Sequence, residues 1–204
     1  MLRATETLTR AGVPYIGPGA AVLQLCYDKL AASERVAAAG IDCPAVATSF
    51  PMIVKPRRGS DSIGVRLAGS GPIPTDHLAQ EHVRGMEVTV AYVAGTVGAP
   101  LHIALPEGAL YSFVRKYFWR PRHEIVRGAL AERVRGTALK IAQLLGVDWA
   151  ARVDFIYERS RDRLCFLECD VAPLIGEGSA FADSLAAGGV ARAEQLRLIL
   201  GGCS

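Results

Sequence analysis

No stretch of this 204-residue chain approaches the ~20 consecutive apolar residues of a membrane-spanning helix. The opening, MLRATETLTR, has no apolar core and no small-residue cleavage site, so no secretory leader is expected in it. An excess of either charge is also missing. The 23 Lys and Arg stand against 20 Asp and Glu, and a formal charge of +3 is too small and too dispersed to predict nucleic acid or a membrane surface as partner. The five cysteines, Cys26, Cys43, Cys165, Cys169 and Cys203, are odd in number and form no CxxC pair. On one strand face Cys165 and Cys169 would stand about 13 Å apart, beyond the reach of a disulfide. A reducing cytoplasm is the expected compartment. Two nucleotide signatures are absent as well: there is no GxxxxGK[ST], and Gly17-Pro18-Gly19 does not extend to GxGxxG.

Half of the residues are hydrophobic, enough for one core or two small lobes. Residues 3–11 read as the end of a helix, followed by the turns of GVPYIGPG. Ala20 to Ala39 reads as one helix, with Val22, Leu25 and Lys29 at helical spacing and Gly40 as its stop. By itself Lys29 reads as a solvated helical lysine. FPMIVK, Phe50 to Lys55, is a short apolar strand with a lysine at its tip. RRGSDSIGV, Arg57 to Val65, then offers backbone N–H groups and cations to phosphate oxygens, or forms a plain turn. GSGPIPT is a loop. Gln80 to Val83 leads through Arg84-Gly85 into a strand, Met86 to Ala94, and reads either as an ordinary strand end or as a hinge that meets an adenine edge. Leu101 to Ala104 and Leu110 to Val114 are further strands, the second running into the basic, aromatic RKYFWRPRHE, whose partner is better read as a small anion than as nucleic acid. Ala129 to Gly146 is an amphipathic helix. A helical tail, Ala180 to Leu200, is interrupted at Gly188-Gly189.

The densest chemistry lies in ARVDFIYERSRDRLCFLECDVAPLIGEG, Ala151 to Gly178, which reads as a β-hairpin. Alternation puts Arg152, Asp154 and Ile156 on one face of the first arm. Phe166, Glu168 and Asp170 share a face of the second, with Cys165, Leu167 and Cys169 opposite. A turn about Arg161 sets Asp154 across from Glu168 and Arg152 across from Asp170. Carboxylates crowded together repel unless a cation sits among them. Oxygen-only donors favour Mg²⁺, with Mn²⁺ as the alternative, over Zn²⁺, and magnesium completes its shell with water and substrate phosphates. The other reading is an exposed hairpin in which Arg152 simply pairs with Asp170.

In this order the motifs GVPYIGPG, YDKL, FPMIVKP, GSDSIGV, GMEVTV, RKY, RVDF and LECDVAP resemble the ATP-grasp ligases, in their D-alanine:D-alanine ligase branch. The resemblance implies an α/β (α+β) ATP-grasp fold, with two subdomains clasping ATP between antiparallel sheets. The expected division is a remnant of an N-terminal lobe at 1–20, a first subdomain at 21–84 and a second at 85–204. Implied ATP-binding residues are Lys29 and Lys55 on the phosphates, Ser62 in the loop over them, Gln80, Glu81 and Val83 at the adenine hinge, and Glu87 on the ribose. Asp154, Glu168 and Asp170 match metal ligands. Arg152, Lys116 and Tyr117 match the residues around the reacting phosphate, and Ser179 matches a serine that binds the acceptor's carboxylate. The implied activity is ATP-dependent joining of a carboxylate to an amine through an acyl-phosphate, with ATP and Mg²⁺ required.

The sequence departs from the branch pattern in places. Most of the N-terminal lobe is absent from it, Asp61 stands where a serine is usual, Asp170 replaces asparagine, Gln80 replaces glutamate, and Leu174 replaces the glycine after Pro173. Substrates other than two D-alanines are therefore expected: a small carboxylate and an amine, or a peptide or carrier-bound acid. A partner subunit or an isologous homodimer is one way to replace the missing wall. The alternative is a non-catalytic or partner-dependent ATP-binding subunit.

Overall fold

A computed structural model describes residues 2–59, 63–104 and 122–201. Ser62, Lys116 and Tyr117, together with Asp61 and the strand expected at Leu110 to Val114, lie outside those residues.

Helices α1 (Leu2–Arg10), α2 (Ala20–Tyr27) and α3 (Lys29–Ala38) precede a small antiparallel sheet of β1 (Met52–Pro56), β2 (Arg66–Ala68) and β3 (His77–Glu81), in the order β2-β1-β3. The single helix expected over Ala20 to Ala39 is in fact two. Asp28 has extended backbone (φ −91°, ψ 94°) and caps α3, its carboxylate accepting from the Ala31 N–H. In the small sheet the register puts Met52, Val54, Ala68 and Ala79 on one face, where they form a small core. Ile53, Lys55, Leu78 and Gln80 share the other face.

The large sheet holds β4 (Met86–Val93), β5 (Thr96–Val97), β6 (Leu101–Ala104), β7 (Arg122–Ile125), β8 (Ala150–Glu158) and β9 (Arg163–Asp170). Its order is β7-β6-β4-β8-β9, with β5 against the end of β4 and every pairing antiparallel. Alternation assigns its two faces. Val88, Val90 and Tyr92 of β4 and Ala151, Val153 and Phe155 of β8 enter the main core under α2, α3 and α4 (Ala129–Leu145). On the opposite face Ala91, Val93 and Ala150 are covered by α5 (Ala180–Ala187) and α6 (Arg192–Gly201), through Phe181, Leu185 and Ile199. Thr89, Arg152 and Asp154 share this second face by the same period of two. Gly146 ends α4 in the left-handed region (φ 71°), its N–H returning to Ala142 and Gln143.

The hairpin β8–β9 carries a register shift. Asp154 faces Glu168 and Arg152 faces Asp170, as a turn about Arg161 requires, but Phe155 faces Phe166 and Glu158 faces Arg163. One extra residue, Leu167, is absorbed between them. Core positions on β9 therefore run Leu164, Phe166, then Cys169, with Val171 following just past its end. Phe166 does not share a face with Glu168, and Cys165 does not share one with Cys169. The bulge places Phe166 edge-on to Phe155, with centroids 6.4 Å apart and planes at 72°, while still turning Glu168 and Asp170 toward Arg152.

Candidate active site

The site lies on the remainder of the second sheet face, beyond the part that α5 and α6 cover, where Lys29 and Lys55 come near Glu168. Arg152 is buried, and its guanidinium clamps Asp154: Nε donates to Oδ1 and Nη2 to Oδ2, each at 2.9 Å. Thr89 donates to the same Oδ1 at 2.6 Å. The Asp170 Oδ2 stands 4.0 Å from Arg152 Nη2, and the Asp170 Oδ1 accepts from the Ala172 N–H at 3.1 Å. Burial opposes the Arg152 charge, but Asp154, then Asp170 and Glu168, more than offset it and hold the guanidinium firmly protonated.

Lys29 is not a solvated helical lysine: its side chain is 8 % exposed. Its ammonium stands 3.8 Å from Glu168 Oε2 and donates to the Gly59 carbonyl. Lys55, at the end of β1, is buried in the same neighbourhood. Burial lowers its pKa to about 8, helped by the nearby Lys29 and opposed by Glu168. Glu168 moves the other way: burial and the Asp154 charge raise its pKa, against the pull of Lys29, Lys55 and Arg152. Two lysines from different elements and three carboxylates from one hairpin thus converge.

The residues expected at an adenine hinge divide. Gln80 is buried and donates through Nε2 to the Pro44 carbonyl at 3.3 Å. Glu81 accepts from Arg163 Nη2 at 2.6 Å and from the Ala45 N–H at 3.1 Å, and the Arg163 hydrogen bond holds its carboxyl below the usual range. Val83 is buried, its N–H donating to the Glu81 carbonyl at 3.1 Å. The neighbouring His82 has a buried Nδ1 with no hydrogen-bond partner, and burial, with Arg84 nearby, lowers its pKa. Glu87, on β4, is half-buried on the Thr89 face. Ser179 caps α5, accepting from the Ala182 N–H at 3.2 Å. The residues not singled out from the sequence are Asp28, Arg57, Thr89, His82 and Arg163. Asp28 and Arg57 stand inside the quoted YDKL and RRGSDSIGV segments, and only their pairing was hidden.

Among the described residues no group of three or more His, Cys, Asp or Glu side chains already stands as a metal cage. The donor chemistry nonetheless fits a hard divalent cation. Among the described residues the anionic donors here are the carboxylate oxygens of Asp154, Glu168 and Asp170, and Glu168, whose pKa is raised by burial and then by the Asp154 charge, is a carboxylate that a cation would relieve.

The ATP-grasp domain family matches residues 26–169, which takes in both lysines and the hairpin up to Cys169. The chain belongs to the ATP-grasp family. Its relatives within that family include D-alanine–D-alanine ligases. That of Thermotoga petrophila is 30 % identical over 217 residues, covering 93 % of this chain and 71 % of the relative, and that of Nitrosospira multiformis is 29 % identical over 219 residues, covering 93 % and 71 %. Solved structures share the fold. The VanG D-Ala:D-Ser ligase of Enterococcus faecalis superposes with a TM-score of 0.82 at 22 % identity, covering 97 % of this chain and 67 % of that one. An ATP complex of the Bacillus anthracis D-alanine–D-alanine ligase gives 0.76 at 20 %, covering 98 % and 73 %. This ATP-grasp chain is thus an ATP-dependent carboxylate–amine ligase by class, and it spans about seven-tenths of its relatives' length.

Proposed function

We propose that the chain activates a carboxylate as an acyl-phosphate at the face of Arg152, Asp154, Glu168 and Asp170 and transfers the acyl group to an amine. The observation that carries this reading is the convergence of Lys29 and Lys55 on Glu168. Buried lysines brought from a helix start and a strand end to one carboxylate make an anion site with a cation-seeking carboxylate at its rim. The division that follows is a small-sheet jaw over a large-sheet jaw, with the Glu81–Met86 link as hinge and ATP between them.

Magnesium is the metal we assign. Glu168 and Asp170 would hold it together with Asp154, whose pair with Arg152 is kept, and when bound it would neutralise phosphate charge and polarise the transferred phosphoryl group. The chain's own groups do the rest. Lys29 and Lys55 hold phosphate oxygens, and the anion keeps Lys55 protonated against its burial. A carboxylate is a poor acyl donor, and phosphorylation by ATP gives it a leaving group. Arg152, fixed by Asp154, stabilises negative charge on the acyl-phosphate and on the tetrahedral adduct with the amine. Glu87 binds the ribose, Gln80, Glu81 and Val83 frame the adenine end, and Lys116, Tyr117 and Ser62 complete the phosphate side. Ser179, at the N-terminus of α5, receives the acceptor's carboxylate.

The substrates we expect are a small carboxylic acid or amino acid and an amine, other than two D-alanines. Incubation with Mg-ATP and pooled acids and amines, followed by mass spectrometry, tests this. The expected product has the mass of acid plus amine less one water, with ADP in equal amount. ATP consumed with only a phosphorylated acid as product contradicts the reading.

A further inference from the structure

Asp28 interrupts what apolar spacing predicts as one helix. It sits at a break with extended backbone, and its side chain is only 8 % exposed. A buried carboxylate requires compensation, and here it comes from the loop after β1, 29 residues on. Arg57 Nε donates to both Asp28 oxygens, at 2.8 and 3.0 Å, and Arg58 Nη2 donates to Oδ2 at 3.4 Å. The backbones are joined as well: the Lys29 N–H donates to the Arg57 carbonyl at 3.0 Å, and Asp28 and Arg58 form an antiparallel bridge. The carboxyl is held below the usual range chiefly by the Arg57 hydrogen bond, against its burial.

This clasp does more than cap a helix. Asp28 and Ala31 alone would start α3. The side chain of Arg57 is 44 % exposed and gains nothing for the core, yet it ties the end of the small sheet to the residue before Lys29. Lys29 then reaches Glu168 on the large sheet and the Gly59 carbonyl two residues past Arg57. The break at Asp28, the exit of β1 and the Lys29 ammonium are therefore one assembly.

We propose that Asp28 and Arg57 are positioning residues for phosphate binding: their pairing fixes Lys29 relative to the strand that carries Lys55, so that two cations from separate elements meet one polyphosphate. The proposal rests on the nucleotide-binding reading above. It assigns no contact with the nucleotide to Asp28 itself. The positioned group is Lys29, and the ligand class is a polyphosphate rather than a nucleoside.

The test is calorimetric titration of the full chain with Mg-ATP and, separately, with adenosine, for wild type, Asp28→Asn, Arg57→Gln and the double variant. Asn keeps the helix cap and removes the charge. Arg57→Gln removes an exposed side chain and covers the case in which the Asp28 variant fails to fold. Each single change is expected to weaken Mg-ATP binding about tenfold, with the double variant no weaker than the worse single, because the two act as one unit. Adenosine affinity stays near wild type, while Tm falls in Arg57→Gln, which leaves the buried Asp28 carboxylate with Arg58 alone, and recovers in the double variant. Unchanged Mg-ATP affinity in Arg57→Gln overturns the proposal. So do losses that multiply in the double variant, or an equal loss for adenosine, which would mark general structural damage. Absence of Mg-ATP binding in the wild type is a different failure, that of the nucleotide-site reading itself.

Discussion

Both carboxylate oxygens of Asp154 accept from one guanidinium, that of Arg152, two residues earlier on the same strand. The pair is nearly dry and shares a sheet row with Thr89 and Ala91. Arg152→Ala strands the Asp154 charge. It is expected to lower stability by about 3 kcal/mol and kcat by at least about a hundredfold. Arg152→Lys restores charge but not the two-pronged geometry, so it should recover much of the Tm and little of the rate. Thermal melts beside steady-state kinetics check the split.

Lys55 makes nucleotide affinity pH-dependent. Its folded pKa, about 8, lies below the free-lysine value of 10.5, so the folded apo chain loses this proton before the unfolded chain does. Buried Lys55 therefore costs stability below pH 8, and that cost is relieved as pH rises from about 8 to 10.5, where the unfolded state binds more protons. Phosphate needs the ammonium. Mg-ATP affinity should fall by up to about tenfold per pH unit above pH 8, with proton uptake on binding. Titrations in buffers of different ionisation enthalpy measure that uptake. Lys55→Arg should flatten the profile.

Gly85 lies in the link between β3 and β4, the hinge of the proposed function. A Cβ there would lie 2.3 Å from the Tyr157 carbonyl oxygen and 2.8 Å from Ile156 Cγ2, so the link must move off β8 to accept any side chain. Gly85→Ala is expected to cost roughly 2 kcal/mol or more and to weaken ATP binding, as read by denaturant unfolding and calorimetry. Gly69→Ala, in an open loop where a Cβ meets nothing within 4 Å and φ is not positive, is the control.

Glu81 and Arg163 join the end of the small sheet to the start of β9. Arg163 also donates to the Cys43 carbonyl at 3.1 Å. Arg163→Ala should destabilise by about 1–2 kcal/mol, a charge-assisted bond discounted for partial exposure. Glu81→Gln should cost less, because the amide oxygen still accepts from Ala45. If Glu81 served the nucleotide alone, the variant would alter ATP affinity and leave the melting temperature in place.

Much of this was legible in the chain. The hairpin pairings of Asp154 with Glu168 and Arg152 with Asp170 follow from alternation and a turn about Arg161, and Gly146 and Gly188 announce their helix ends. The bulge at Leu167 was not legible, because Leu-Cys-Phe-Leu-Glu-Cys alternates acceptably in either register, and only packing of Phe166 on Phe155 selects one. The break at Asp28 was hidden for a similar reason. YDKL is compatible with helix, and the partner that favours the break is Arg57, distant in sequence. The hinge was ambiguous because Gln80 and Glu81 spend their polar groups on Pro44, Ala45 and Arg163, which no local pattern reveals.

The most direct measurement is the nucleotide product formed by the purified chain with ATP, pooled acids and pooled amines, with and without Mg²⁺, beside Glu168→Gln. The predicted result is ADP and phosphate, released only when Mg²⁺ and both substrate pools are present, and reduced at least about a hundredfold in the variant. Release of AMP and pyrophosphate, or turnover that Glu168→Gln leaves unchanged, would contradict an acyl-phosphate ligase built on this hairpin.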